Sequence, residues 1–264
     1  MKNIFPLLPL AAACLLLSPV VRADDAPQGN QFTVGGGVAG GARYSGARQS
    51  TFAPMLVLDY SHQSGFFAST LRGLGYGGRV GPVSYSAALG YRRERKEQDE
   101  NGVWGSTGGD ELRGMGDVKG NASAVTSVGY APIDGLEFTV GADIPLSQRQ
   151  NGKNVHAGVT GRLFNTATDK VTLGLAAGFG DSEYNQTYYG VTAAQAATSK
   201  FAAYKPKAGL YEATAMLSWQ RKFGTQWSVT SMVGASHLLK EASKSPLVQR
   251  KTSPVGAIYA TYSY

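Results

Sequence analysis

The chain is poor in the residues that build most catalytic and metal sites. It has one cysteine, Cys14, and three histidines, His62, His156 and His237. Cys14 sits inside an N-terminal apolar stretch, with Ala11 three positions before it and apolar residues continuing past it. That context reads as the interior of a secretory signal rather than a lipidated residue. No cysteine follows, which excludes disulfides, zinc–thiolate sites and a cysteine nucleophile from the remaining chain. Gly-x-Ser-x-Gly, His-Glu-x-x-His and Walker patterns are all missing. Beyond the N-terminus no apolar run reaches the ~18 residues of a spanning helix. No internal repeat and no second domain stand out, and no cofactor or metal is expected.

The first 23 residues read as a cleaved signal peptide. Lys2 provides the positive start, residues 4–17 form a proline-marked apolar run, and Val21-Arg22-Ala23 offers small or tolerable residues before the cut. The mature domain then runs over 24–264. The net charge of +7 would suggest nucleic acid in a soluble protein. In an exported chain with scattered Lys and Arg it points instead to acidic lipid headgroups and lipopolysaccharide, and no nucleic-acid partner is expected. The 35 glycines disfavour long helices and suit bends and close strand approaches.

What the chain has in quantity is alternation. Leu136, Phe138, Val140, Ala142 and Ile144 alternate with Glu137, Thr139, Gly141 and Asp143. Val155 to Leu163, Val171 to Phe179, Val83 to Tyr91 and Tyr211 to Trp219 repeat the pattern, the last placing Tyr211 on the apolar face. Trp227, Val229 and Val233 follow it less cleanly, because Met232 falls on the other face. Charged residues keep the parity of the small polar ones. Arg or Lys on a lipid face near the midplane costs about 2–4 kcal/mol, and aromatic girdles mark the two interfaces. The alternation therefore predicts an all-β, antiparallel, up-and-down transmembrane barrel in the outer membrane. Gly256, Ile258, Ala260, Tyr262 and Tyr264 form a closing strand with a terminal aromatic.

Eleven runs are visible, near 31–42, 52–60, 66–76, 82–93, 118–130, 135–148, 153–165, 170–181, 207–222, 226–239 and 253–264. Single-chain bacterial barrels have even strand numbers. Ten strands follow if 52–76 is one bulged crossing, twelve if a strand is hidden; ten is favoured. Long segments 94–117, 182–205 and 240–252 fall outside the cell, and short turns near 132–135, 165–169 and 223–225 in the periplasm. Asn151-Gly152 suggests a type I′ hairpin turn.

Asp59, Arg72, Glu137, Asp143, His156, Arg162 and Glu212 are the candidate lumen-lining set, expected to leave the lumen closed or narrow. The segment 181–205 is dense in aromatics. Tyr184, Tyr188, Tyr189, Phe201 and Tyr204 are candidates for a plug or a recognition loop, with a short helix near 191–198. The charges of residues 92–97 could meet lipopolysaccharide phosphates or simply compensate one another. His237, near Glu241 and Ser243, is the one place for a rim hydrolase, and a weak one.

Several stretches, in order, resemble the MipA/OmpV family of MltA-interacting proteins of the Gram-negative outer membrane. They are Gly35-Gly36-Gly37 with Arg43-Tyr44-Ser45-Gly46, residues 54–60, Gly65-Phe66-Phe67-Ala68, residues 112–117, residues 179–191, residues 204–209 and residues 242–248. The resemblance implies a non-enzymatic scaffold that links a murein lytic transglycosylase to a penicillin-binding murein synthase. Some members are described as porin-like, which makes a narrow porin or solute channel the alternative. No catalytic residue is implied.

Overall fold

A computed structural model describes residues 29–99 and 105–264. The expected signal peptide lies outside the described residues. Twelve antiparallel strands close into one barrel. They are β1 (Gln31–Ala42), β2 (Ser50–Ser61), β3 (Phe66–Ser69), β4 (Gly73–Val80), β5 (Val83–Arg92), β6 (Asn121–Ile133), β7 (Leu136–Pro145), β8 (Asn154–Asn165), β9 (Asp169–Gly180), β10 (Gly209–Phe223), β11 (Trp227–Leu238) and β12 (Thr252–Ser263). Closure is made by β1 against β12, in register from Thr33 with Ser263 to Gly40 with Gly256. Gly37 permits that seam: a Cβ there would lie 2.0 Å from the Ile258 carbonyl oxygen. Among the described residues no helix is long and apolar enough to cross a membrane.

The favoured count of ten strands is corrected to twelve. The run 66–76 is not part of one bulged crossing; it folds back at Thr70-Leu71-Arg72 into the short hairpin β3–β4. Three contacts fix that turn. The Thr70 hydroxyl donates to the Leu56 carbonyl at 2.8 Å, the Leu58 N–H donates to Thr70 Oγ1 at 3.1 Å, and Arg72 Nη2 meets Asp59 Oδ1 at 2.8 Å. Gly73 follows at φ +87°, a backbone open to glycine at little cost. A strand of four residues is too short to leave a readable period of two.

One end of the barrel carries short turns and the other carries loops 43–49, 93–120, 146–153, 181–208 and 239–251, the asymmetry of outer-membrane barrels. The long-loop end is taken as extracellular. Alternate residues face lipid: Val233, Val140, Leu175 and Ile258 lie about half exposed or more. At the periplasmic rim Phe32 stacks on Tyr264, and Trp227 meets Tyr262 edge-on at 5.1 Å.

Two local readings are corrected. Tyr211 is buried rather than lipid-facing, because the β9–β10 register shifts between Leu210 and Glu212 and turns it inward. Asn151-Gly152 does not form a type I′ turn, which needs positive φ at both central residues. Of the two only Gly152 has it; Arg149–Asn151 is a 3₁₀ turn in an extracellular loop, with Asn151 buried against Asn121 and the Lys119 carbonyl.

Candidate functional site in the barrel interior

The upper half of the barrel encloses a cavity of about 300 Å³. A neighbouring space of about 200 Å³ shares Tyr184, Tyr211, Glu212 and Thr214 with it. The floor is apolar. Ala39, Met55, Val57, Met216, Met232 and Ala257 pack together inside the barrel, with Leu71 of the β3–β4 turn and Tyr259 against them. Methionine fills irregular gaps well, and this layer fills the interior on the side of β1, β2 and β10 to β12.

The roof is made by the loops. Asp181 accepts from the Tyr184 N–H and caps α1 (Ser182–Tyr189), a helix the sequence pattern did not reveal. Thr192 and Gln195 form a capping box on α2 (Ala193–Thr198), where a short helix was expected. Tyr184 lies 4.7 Å from Tyr188 and 4.9 Å from Tyr211, ring centre to ring centre. Tyr189 is almost fully buried, and its hydroxyl pairs with Ser45 at 2.9 Å. Phe201 and Tyr204 pack against a second layer of Tyr44, Leu112, Met115, Val191 and Leu247. The Tyr204 hydroxyl donates to the Glu241 carbonyl at 2.8 Å. Burial and a second bond, to the Glu241 carboxylate at 3.1 Å, push the Tyr204 hydroxyl up to about 12. Burial also raises the hydroxyls of Tyr44 and Tyr189 above the usual phenol range.

The inward charges are spread along the barrel and mostly paired. Arg92 and Asp143 form an ion pair at 2.9 Å in the upper half, with side chains 12% and 14% exposed. The Arg92 guanidinium also donates to the carbonyls of Asn151 and Gly152 and lies over the Tyr184 ring at 5.2 Å. It thereby ties the wall to two loops. Glu137 accepts from Ser84 Oγ at 3.0 Å and faces Arg79 at 3.8 Å in the periplasmic half. Arg162 pairs with Asp134 of the adjacent turn. Asp59 and Arg72 meet at the β3–β4 turn. Glu212 accepts from Thr214 Oγ1 at 3.3 Å. His156 is buried beside Gly141, where a Cβ would lie 2.4 Å from Nε2. That nitrogen makes no hydrogen bond among the described residues.

These residues therefore sit at several levels rather than in one constellation. His237 bonds Thr252 Oγ1 at 2.7 Å, and Ser243 Oγ donates to the Lys240 carbonyl, so neither addresses the other. Among the described residues no group of three or more His, Cys, Asp or Glu could hold a metal. The reading from sequence missed Arg79 and the methionine floor; it held Arg95 only as one charge of the 92–97 run and Tyr44 only within a family stretch. Arg79 shares the inward parity of Gly75 and Gly77, a signal hidden by the misread hairpin. Met216 and Met232 stand on the polar parity of their strands, where an apolar residue marks an inner seal.

The sequence matches the family described as MltA-interacting protein MipA over residues 34–264. The chain belongs to that family. Among curated proteins none matches by sequence. Solved barrels resemble the fold at low identity. The NanC porin aligns with a TM-score of 0.45 and 9% identity over 88% of this chain and 98% of its own. The translocator domain of the autotransporter NalP from Neisseria meningitidis gives 0.44 and 12% over 95% and 93%. A loop-deleted OmpT from Vibrio cholerae gives 0.34 and 10% over 81% of this chain, which spans 59% of that barrel. Family and fold make the protein an outer-membrane barrel.

Proposed function

We propose that this family member is a non-enzymatic anchor in the outer membrane that docks a periplasmic murein lytic transglycosylase, and through it a penicillin-binding murein synthase. The family match supports the reading, since its description names MltA as the partner. The apolar floor is in keeping with it, because a plugged lumen serves attachment better than transport. The periplasmic turns are short, so the docking surface would be the rim itself: the 134–135 turn with Arg162, and the cluster of Asp169, Arg221 and Trp219. There Trp219 Nε1 donates to Asp169 at 2.9 Å and Arg221 approaches it at 3.6 Å.

The test is capture of a purified MltA-type transglycosylase by the full barrel in nanodiscs after mild crosslinking. Saturable capture that weakens in an Arg221→Glu, Lys222→Glu variant supports the anchor. Absence of capture at micromolar concentrations of both proteins overturns it.

A second reading, a narrow solute channel, draws on the inward ion pairs Arg92–Asp143 and Arg79–Glu137. Planar-bilayer recording separates the two. A silent, folded barrel removes the channel, whereas steady, salt-dependent openings of the unmodified chain remove the sealed floor.

A further inference from the structure

The short β3–β4 hairpin leaves the barrel wall incomplete. On that side β2 pairs with β3 only at Asp59, Tyr60 and Ser61, and β5 pairs with β4 only from Val83 to Leu89. Above the hairpin, β2 at residues 50–58 and β5 at Gly90, Tyr91 and Arg92 have no strand partner across the gap among the described residues. Three inter-strand spacings separate the two edges, about 14 Å at ~4.8 Å per spacing. The flanking residues face lipid: Phe52 is 78% exposed, and Leu56, Leu89 and Tyr91 are exposed as well. The gap thus opens within the apolar band, on the extracellular side of the hairpin.

Unpaired backbone is costly in hydrocarbon, and the chain answers that cost with polar fittings. Thr70 covers Leu56 and Leu58 with its hydroxyl. Pro54 shares the parity of Leu58, so its missing N–H falls on the open edge, where proline is tolerated in a sheet. Higher up, Ser106 N–H donates to Thr51 Oγ1 and Gly105 lies beside Thr51, Phe52 and Ala53, so residues 105 and 106 cover the β2 edge at the top of the opening.

Behind the gap lies the 300 Å³ cavity, whose lining includes the hairpin lip Thr70–Gly73 and the far edge at Gly90 and Tyr91. Five arginines (Arg43, Arg72, Arg92, Arg93 and Arg95) and three carboxylates (Glu94, Asp143 and Glu212) line it. Arg95 stands apart from the paired ones. It is 6% exposed, its Nη1 donates to the Tyr188 carbonyl at 2.9 Å, and no carboxylate among the described residues pairs with it. The Tyr188 hydroxyl nearby is buried without a hydrogen-bond partner. A buried, uncompensated cation is expensive unless an anion reaches it. A cation and a free hydroxyl at the back of a cavity fit a phosphate, and an opening flanked by Phe52, Leu56, Leu89 and Tyr91 fits acyl chains.

We propose that this gap is a lateral entrance through which an anionic lipid of the surrounding leaflet places its phosphate in the upper cavity against Arg95, its chains remaining in the bilayer between β2 and β5. The methionine floor stops the headgroup from passing further. The site is separate from the periplasmic rim that would dock a murein enzyme, so either can fail without the other.

The test places a photo-crosslinking residue at Val125, on the inner wall of the cavity, at Ala124, its outward neighbour on β6, and at Ser127, one inward position lower. The full barrel is reconstituted in phosphatidylethanolamine nanodiscs with or without phosphatidylglycerol, and adducts are read by mass spectrometry. A phosphatidylglycerol adduct at position 125 and none at 127 is expected. It should fall about tenfold in Arg95→Gln, the loss of one charge-assisted contact, and return in Arg95→Lys, while the adduct at 124 stays constant. Absence of a lipid adduct at 125 in the otherwise unmodified barrel overturns the proposal, and that measurement stands even if Arg95→Gln does not fold. Equal adducts from phosphatidylethanolamine alone, or complete loss on adding inorganic phosphate, also overturn it, the latter by showing a free-anion site.

Discussion

The Arg92–Asp143 pair should be one of the strongest single links between the barrel wall and its extracellular roof. Both side chains lie at least 86% out of solvent, as their 12% and 14% exposures give. The guanidinium also serves the Asn151 and Gly152 carbonyls and the Tyr184 ring. Removing one partner of a buried pair costs about 3–5 kcal/mol, because the other charge is left uncompensated. Asp143→Ala should therefore destabilise the barrel by about 3 kcal/mol, and Arg92→Ala by somewhat more, since two carbonyls lose their donor at ~1 kcal/mol each. The double variant should cost less than the sum of the two. A coupling energy of about 2 kcal/mol is expected. Reversible urea unfolding in lipid vesicles, followed by tryptophan fluorescence, measures all four corners of the cycle. A coupling below ~0.5 kcal/mol, the range of solvated surface pairs, would refute the view that this pair is shielded and structural.

Other outcomes follow from the same geometry. Replacing Met55, Met216 and Met232 together by alanine should hollow the floor and raise ion conductance in planar bilayers above that of the parent barrel. Gly37→Leu forces a side chain toward the Ile258 carbonyl, 2.0 Å from where its Cβ would sit, and should block closure of β1 on β12; the loss of the heat-modifiable band on gels reports it. Val233→Arg, on the lipid face at 64% exposure, should cost about 2–4 kcal/mol in the same urea assay. The Tyr204 hydroxyl ionises near 12 in the fold against about 10 in the unfolded chain. Its contribution is complete below pH 10 and is lost as pH rises through 12, so the roof should loosen in that window. Ultraviolet titration of tyrosinate should show several late steps, because the Tyr44 and Tyr189 hydroxyls are raised as well, and Tyr204→Phe should remove only the one near 12.

The long strands were legible because lipid on one side and a polar interior on the other impose a period of two over ten or more residues. β7, β8 and β9 were placed within one to three residues for that reason. What failed was short or non-periodic. β3 has four residues, and its partner β4 continues an apparently single run, so the hairpin read as one crossing. A bulge turned Tyr211 inward, and no alternation rule signals where a register will slip. The α1 helix is capped by Asp181 but is only eight residues long and, apart from its tyrosines, polar, so no stripe marks it. The inner arrangement was less visible still. Glu137 and Asp143 could be assigned to the inward face by parity, but their partners, Ser84 and Arg92, sit on another strand and depend on how the strands are arranged. Arg95 looked like one charge among several in a solvated run. Only the folding of loops 43–49, 93–120 and 181–208 over one another makes it a buried cation.

The methionine floor has a chemical consequence. With no cysteine among the described residues, the readily oxidised sulfur inside the barrel is thioether, and Met55, Met216 and Met232 converge on one layer. Adding a single oxygen to any of them turns a soft apolar filler into a polar, chiral sulfoxide in a layer built mostly of apolar side chains. A polar group in that layer would draw water into the middle of the barrel. Peroxide treatment would act on permeability before it acted on the fold, and methionine sulfoxide reductase would close the barrel again.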